Sequence, residues 1–206
     1  MDVITNLSIQ KGRVRISAEG RQDFLIPLSV FRKQPISQGD VLDMDVYAQG
    51  LAPLLYRHAL DRAVKYLTVR ARSRKEVTTH LERYGYPDDT VEMALLKLEK
   101  TGVLNDTDFA EQWARARSEK GLGKRMIARD LYQKGICSET AETALHELDE
   151  AQQLRKAREL AEKWLPRYQN EDCREAARKL MQALVRRGYD WETARTAVTC
   201  LREERS

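Results

Sequence analysis

Chemistry in a protein chain needs nucleophiles, proton carriers or metal ligands at suitable spacings. The three histidines, His58, His80 and His146, are scattered, and each reads as an ordinary surface or packing residue. Cys137, Cys173 and Cys200 are odd in number and show no CxxC spacing. They have no companions at metal-ligand intervals. HExxH, GxGxxG and the phosphate-loop pattern GxxxxGKS/T are all missing. Gly121-Leu122-Gly123-Lys124 is a faint version of the last. It lacks the glycine-rich length and a preceding strand, so it reads as a turn between helices. The carboxylate pairs Asp88-Asp89 and Asp106/Asp108 fall at expected helix starts, where they favour the helix dipole. No set of residues meets a catalytic role. The expectation is a protein that is not an enzyme, with no cofactor and no metal.

What remains is cationic. Arg62, Lys65, Arg70, Arg72, Arg74 and Lys75 follow one another with no acid between them. Arg115, Arg117, Lys120, Lys124, Arg125 and Arg129 are interrupted only by Glu119. Arg186 and Arg187 make a smaller third cluster. Such clusters are either solvated faces or anion-seeking surfaces for phosphates or an acidic protein groove.

The elements that carry these clusters follow from composition and period. The chain has 206 residues, 42% hydrophobic and 33% charged, with 10 Gly and 5 Pro. That supports a packed core and argues against a disordered low-complexity chain. Net charge is only +4, too weak to imply nucleic-acid binding by itself, so the excess is read as local patches and not as a global field. The longest apolar runs, such as Leu51 to Leu55, are far short of the roughly 20 residues a membrane span needs. No signal-like segment opens the chain, so a cytoplasmic location with free thiols is expected.

Residues 1–53 read as a small β-rich domain. Val3-Ile4, Leu7 to Ile9, Val14 with Ile16, and Phe24 to Leu28 are short apolar segments punctuated by Gly12 and Gly20. Val14 to Ser17 alternates with a period of two. Pro27 suits a strand end or edge. Ser29 to Lys33 fits one helical turn, and Asp43 to Gln49 fits either a strand or a helix. A sheet this small is marginal alone and is expected to pack on helices. Gly50 to Pro53 is the expected boundary.

From Leu54 onward the pattern is helical and repeats. Val77, Leu81, Gly85, Tyr86, Val91, Leu95 and Leu98 recur as Ile127, Leu131, Gly135, Ile136, Ala141, Leu145 and Leu148. They recur again as Leu180, Leu184, Gly188, Tyr189, Ala194, Val198 and Leu201. The i, i+4 steps put these side chains on one helix face. An earlier helix precedes each set, marked by Ala59, Ala63, Val64 and Leu67, by Phe109-Ala110 and Trp113-Ala114, and by Leu160-Ala161 and Trp164-Leu165. Ser73 with Glu76 forms a capping-box pattern. Asp106, Ser138 and Asp190 are further N-cap positions, Pro87 suits a first helical turn, and Gly85, Gly135 and Gly188 sit where helices close. The expected fold is mainly α: three-helix repeats at 54–105, 106–150 and 151–206, stacked into an elongated curved array. The second and third helices of each repeat have the outline of a helix-turn-helix. Their acidic third helices are wrong for a major groove.

These residues resemble the RecX regulatory proteins. The run from Ala63 to Val77 with Leu81 and Gly85-Tyr86 is similar to the first repeat of that family. Gly102 to Asp106 with Phe109-Ala110 and Trp113, and Leu131 with Lys134-Gly135-Ile136, are similar to the following part. The resemblance covers about residues 54–203, and the β-rich extension is similar to one found in some members. It implies a cytoplasmic modulator of the RecA recombinase, acting in DNA repair, recombination and the SOS response. It would lodge in the groove of the RecA–DNA filament and inhibit its ATPase and strand exchange. The alternatives are a sequence-independent DNA-binding protein touching single or double strands through their backbone, and a helical protein–protein scaffold. A monomer is expected. The surface expected to face the filament or its phosphates comprises Arg70, Arg72, Arg74, Lys75, Arg115, Arg117, Lys124, Arg125 and Arg129. Charge reversal at Arg72, Arg74, Lys124 and Arg125 together is expected to weaken filament binding without unfolding the chain.

Overall fold

The computed structural model describes residues 1–168 and 170–203, with side chains through Cys200. The chain divides into two compact units that meet in sequence at Asn105 and Asp106.

The first unit opens with β1 (Asp2–Gln10), β2 (Arg13–Ala18) and β3 (Phe24–Pro27), then a single turn, α1 (Leu28–Phe31), and a two-residue strand, β4 (Val41–Leu42). All neighbours in the sheet are antiparallel, in the order β3-β2-β1-β4. Ile4, Val14, Ile16 and Ile26 line its covered face. Against them lie α2 (Met44–Leu67), α3 (Arg74–Glu82) and α4 (Asp88–Lys100), the first three-helix repeat. Sheet and helices share one core, which runs from Ile16 through Leu51 and Leu55 to Val77, Leu81 and Leu95.

The boundary expected at Gly50 to Pro53 is corrected here: both residues lie inside α2. Asp43 caps this helix, accepting from the Asp45 and Val46 amides at 2.9 and 3.1 Å, so Asp43 to Gln49 resolves as cap and first turns. Met44, Leu51, Leu55, Ala59 and Ala63 are its buried stripe. That stripe begins on the sheet and ends in the repeat, so one helix serves both. Pro53 removes a single helical hydrogen bond, and the shared packing of the stripe outweighs that loss. Val64, expected in the core, is 39% exposed.

The second unit holds α5 (Asp106–Glu119), α6 (Lys124–Gln133) and α7 (Ser138–His146), then α8 (Glu150–Trp164), a short 3-10 turn (Leu165–Tyr168), α9 (Cys173–Arg186) and α10 (Trp191–Glu203). The recurring positions form the cores. Ile127, Leu131, Ile136, Ala141 and Leu148 are buried in one, with Leu180, Leu184, Tyr189, Ala194 and Val198 in the other. The side chain of Leu201 lies outside the described residues.

The capping box at Ser73 is present, with Ser73 accepting from the Glu76 amide and the Glu76 carboxylate accepting from the Ser73 amide. Asp190 accepts from the Thr193 amide and hydroxyl at 2.8 and 2.7 Å. Two starts shift by one residue: Cys137, not Ser138, precedes α7, and Pro87 sits just outside α4.

Candidate functional site

In the first unit the connection from α2 to α3 carries Arg70, Arg72, Arg74 and Lys75. Its apparent lack of acids is a property of the sequence alone. Arg70 reaches the Glu76 carboxylate at 2.8 Å. Arg72 lies 3.9 Å from the same group, with its guanidinium 4.2 Å above the Tyr66 ring. Arg74 pairs with Glu92 at 2.7 Å and Glu99 at 2.8 Å, both from α4; the Glu92 hydrogen bond is the main reason its guanidinium holds its proton more tightly than usual. Lys75 is exposed.

Behind this connection lies a layered set of rings and cations. Tyr66 stacks on His80 with centroids 3.8 Å apart, and Arg62 sits 3.7 Å over the Tyr84 ring. His58 Nδ1 is 2.5 Å from the Tyr86 hydroxyl and its Nε2 is 3.0 Å from Ser29 Oγ. Burial pulls both histidines below their ordinary pKa, and Arg62 adds to the effect at each. Ser29–His58–Tyr86 has the outline of a nucleophile with its base. With the Tyr86 hydroxyl donating to His58 Nδ1 and His58 Nε2 donating to Ser29 Oγ, the serine is an acceptor and is not activated. His58 instead ties α1 to α2 and to the turn after α3. A cleft of about 420 Å³ opens here between His58, Asp61, Arg62, Lys65, Val69 and His80.

In the second unit Arg117 pairs with Asp130 on α6 at 2.9 Å and lies 4.8 Å from the Trp113 ring centre, as does Lys134. Lys124 meets Glu150 at 3.7 Å. Arg115 is largely exposed and only grazes Glu111, at 3.4 Å. Among the described residues no carboxylate pairs with Arg125 or Arg129, and both are exposed.

The Gly121-Leu122-Gly123-Lys124 turn is packed between helix ends. Gly121 closes α5 at φ +73° against Leu160 of α8. Gly123 lies against the backbone of Gly188, and its amide donates to Arg187 O at 3.2 Å. Arg187 then caps the end of α5, donating to the carbonyls of Gly121 and Lys120 at 3.1 and 3.3 Å. The turn is glycine-rich because two helix ends meet there.

The nine expected surface cations therefore separate. Arg70, Arg72, Arg74 and Arg117 work within the fold, Lys124 is loosely paired, and Lys75, Arg115, Arg125 and Arg129 face solvent. Sequence reading missed the neutralising acids Glu92, Glu99 and Asp130 because they come from other helices. Only the i, i+4 spacings of Arg72 with Glu76 and of Glu111 with Arg115 signalled local pairs.

Fold and surface together define a β-sheet joined to tandem three-helix repeats, with solvent-facing cations on all three repeats. Three family models match in order: the first three-helix domain of RecX over residues 59–98, the second over 105–145 and the third over 150–198. Regulatory protein RecX from Mycolicibacterium smegmatis is 39% identical over 141 residues, which is 66% of this chain and 75% of that one. Its counterpart from Listeria monocytogenes is 27% identical over 200 residues, or 95% and 74% of the two chains. A crystal structure of regulatory protein RecX superposes with a TM-score of 0.67 at 26% identity, covering 94% of this chain and 97% of that one. The RecX of Lactobacillus salivarius gives a TM-score of 0.68 at 28% identity over 71% and 96%. The chain belongs to the RecX family of regulatory proteins. Among the described residues no helix is long and apolar enough to cross a membrane.

Proposed function

We propose that this chain binds the RecA–DNA filament and lowers its ATPase and strand-exchange activity, acting as a cytoplasmic monomer in DNA repair, recombination and the SOS response. Family membership supports the recombinase context. The observation that carries the reading is the survival of Arg115, Arg125 and Arg129 as exposed cations without strong partners, in a chain that neutralises most of its other predicted surface arginines. Such groups are available to phosphates or to acidic protein surfaces. Several contacts of this kind spread over one ligand add in free energy.

The experiment is co-sedimentation of the full chain with RecA–single-stranded DNA filaments, with RecA ATPase read in parallel. The wild type is expected to sediment with the filament and to lower the ATPase rate. Reversal of Arg115, Arg125 and Arg129 to Glu is expected to remove both effects. A wild-type protein that leaves the ATPase untouched at saturating concentration overturns the reading.

A further inference from the structure

Three helices of the second unit begin around one cleft of about 540 Å³, a volume that suits a small molecule. Lys124 reaches it from the start of α6, Glu150 and Gln153 from the first turns of α8, and Asp190 and Glu192 from the start of α10.

These groups differ in what the fold asks of them. Asp190 is fully engaged, accepting from the Thr193 amide and hydroxyl. The Glu150 side chain is 92% exposed and meets only Lys124, loosely, at 3.7 Å. Glu192 is exposed, and among the described residues no cation pairs with it. Gln153 is 4% exposed. Its Nε2 donates to Ser118 Oγ of α5, which orients the amide. Its Oε1 has no hydrogen-bond partner among the described residues, and the residue lines the cleft. A helix start accounts for Glu150 and Glu192 one at a time, through the helix dipole. It gives no reason for a buried, unused acceptor in the same cleft, which costs stability until a donor meets it.

We infer that this cleft binds an aliphatic polyamine, with its ammonium groups on the Gln153 carbonyl and the Glu150 and Glu192 carboxylates. Leu154 and Tyr189, which also line the cleft, supply an apolar wall for the methylene chain. Three carboxylates against one amine select a cation. The open acceptors are a carbonyl and two carboxylates on separate helices, which suits compact ammonium groups spaced along a chain. A guanidinium is matched instead by both oxygens of one carboxylate. A metal ion does not fit, because among the described residues no three histidine, cysteine or acidic side chains are gathered to hold one. Lys124 already places one ammonium beside Glu150, and a free amine competes with it.

The inference is independent of the filament reading and is tested on the full-length protein alone. Isothermal titration calorimetry follows spermidine at fixed ionic strength, with magnesium chloride and a tetralysine peptide as comparison titrants. One saturable site for spermidine is expected, with no comparable binding of magnesium. Glu150→Gln with Glu192→Gln is expected to weaken spermidine binding about tenfold, and Lys124→Met, which removes the competing amine, to tighten it about threefold. Gln153→Leu is expected to weaken it at least about fivefold. Ser118→Ala breaks the same internal hydrogen bond but leaves the amide oxygen in place, and is expected to stay within about twofold of wild type. Far-UV dichroism and melting temperature confirm that each variant is folded.

Five results overturn the inference: no saturable heat with spermidine; equal binding of magnesium, which reduces the site to diffuse surface charge; spermidine binding indifferent to Gln153→Leu or to the double carboxylate variant; an equal loss in Ser118→Ala and Gln153→Leu, which makes the amide purely structural; or binding of tetralysine without binding of spermidine, which assigns the cleft to a protein side chain.

Discussion

Gly123 and Gly188 lie backbone to backbone. A Cβ built on Gly123 overlaps the Gly188 carbonyl, and one built on Gly188 would stand 2.6 Å from the Met126 nitrogen. The start of α6 is thereby locked to the end of α9. Gly188 also holds φ at +100°, a conformation that L side chains resist. Gly123→Ala is expected to destabilise the second unit by about 1–3 kcal/mol, because backbone rather than a flexible side chain must move. Gly102→Ala, at φ +71° with open space around it, carries only the conformational cost of about 1–2 kcal/mol. Urea unfolding of the two variants measures the comparison. The Gly123 variant is also expected to lose the arrangement of repeats two and three, visible as shifted NMR amide signals at Lys120, Gly121 and Gly188.

The separation of the arginines into fold-holding and free has its own test. Arg74→Ala removes the contacts with Glu92 and Glu99, two acids about two turns apart on one face of α4. A loss of about 1 kcal/mol is expected for this partly exposed network. Arg115→Ala is expected to stay within about 0.5 kcal/mol of wild type. Equal stabilities in urea would show that the ion pairs around Arg74 contribute nothing. The four-site charge reversal that the sequence recommends is accordingly confounded at Arg72 and Arg74, where it damages the fold as well as the surface.

The pH dependence follows from His58 and His80. Burial, with Arg62 nearby, lowers both pKa values in the folded state. The unfolded chain then takes up protons more readily than the fold as acidity rises. The stability contributed by the neutral rings is fully present above the ordinary histidine value of about 6.5 and declines as pH falls below it. Urea midpoints are expected to drop between pH 7 and pH 5. His58→Gln with His80→Gln is expected to flatten that drop, even if it lowers stability at pH 7. An unchanged slope in the double variant would show that other groups govern it.

Leu131 is fully buried in the core of the second repeat. Leu131→Ala is expected to cost about 2–5 kcal/mol. Leu131→Asp, which places a charge there without a partner, is expected to abolish the cooperative unfolding transition of that repeat. Retained helicity and melting temperature in the Asp variant would mean that the recurring apolar positions do not form the core.

The sequence by itself determined the helical repeats. Apolar residues recurring at i and i+4 can only share a face, and Gly85, Gly135 and Gly188 close helices for a local backbone reason, so periods and caps were readable without coordinates. The Ser73 box and the inward face of α6 were legible on the same grounds. Tertiary structure decided what lies between distant segments. Gly50 and Pro53 read as a boundary, yet the buried stripe from Met44 to Ala63 continues through them because sheet and repeat share one core. Glu92, Glu99 and Asp130 neutralise arginines that look unopposed in sequence, since a salt bridge depends on distance in space and not along the chain. The same fact isolates Arg125 and Arg129: sequence supplies their helical spacing, but only the packed neighbours show that no carboxylate in the described fold partners them.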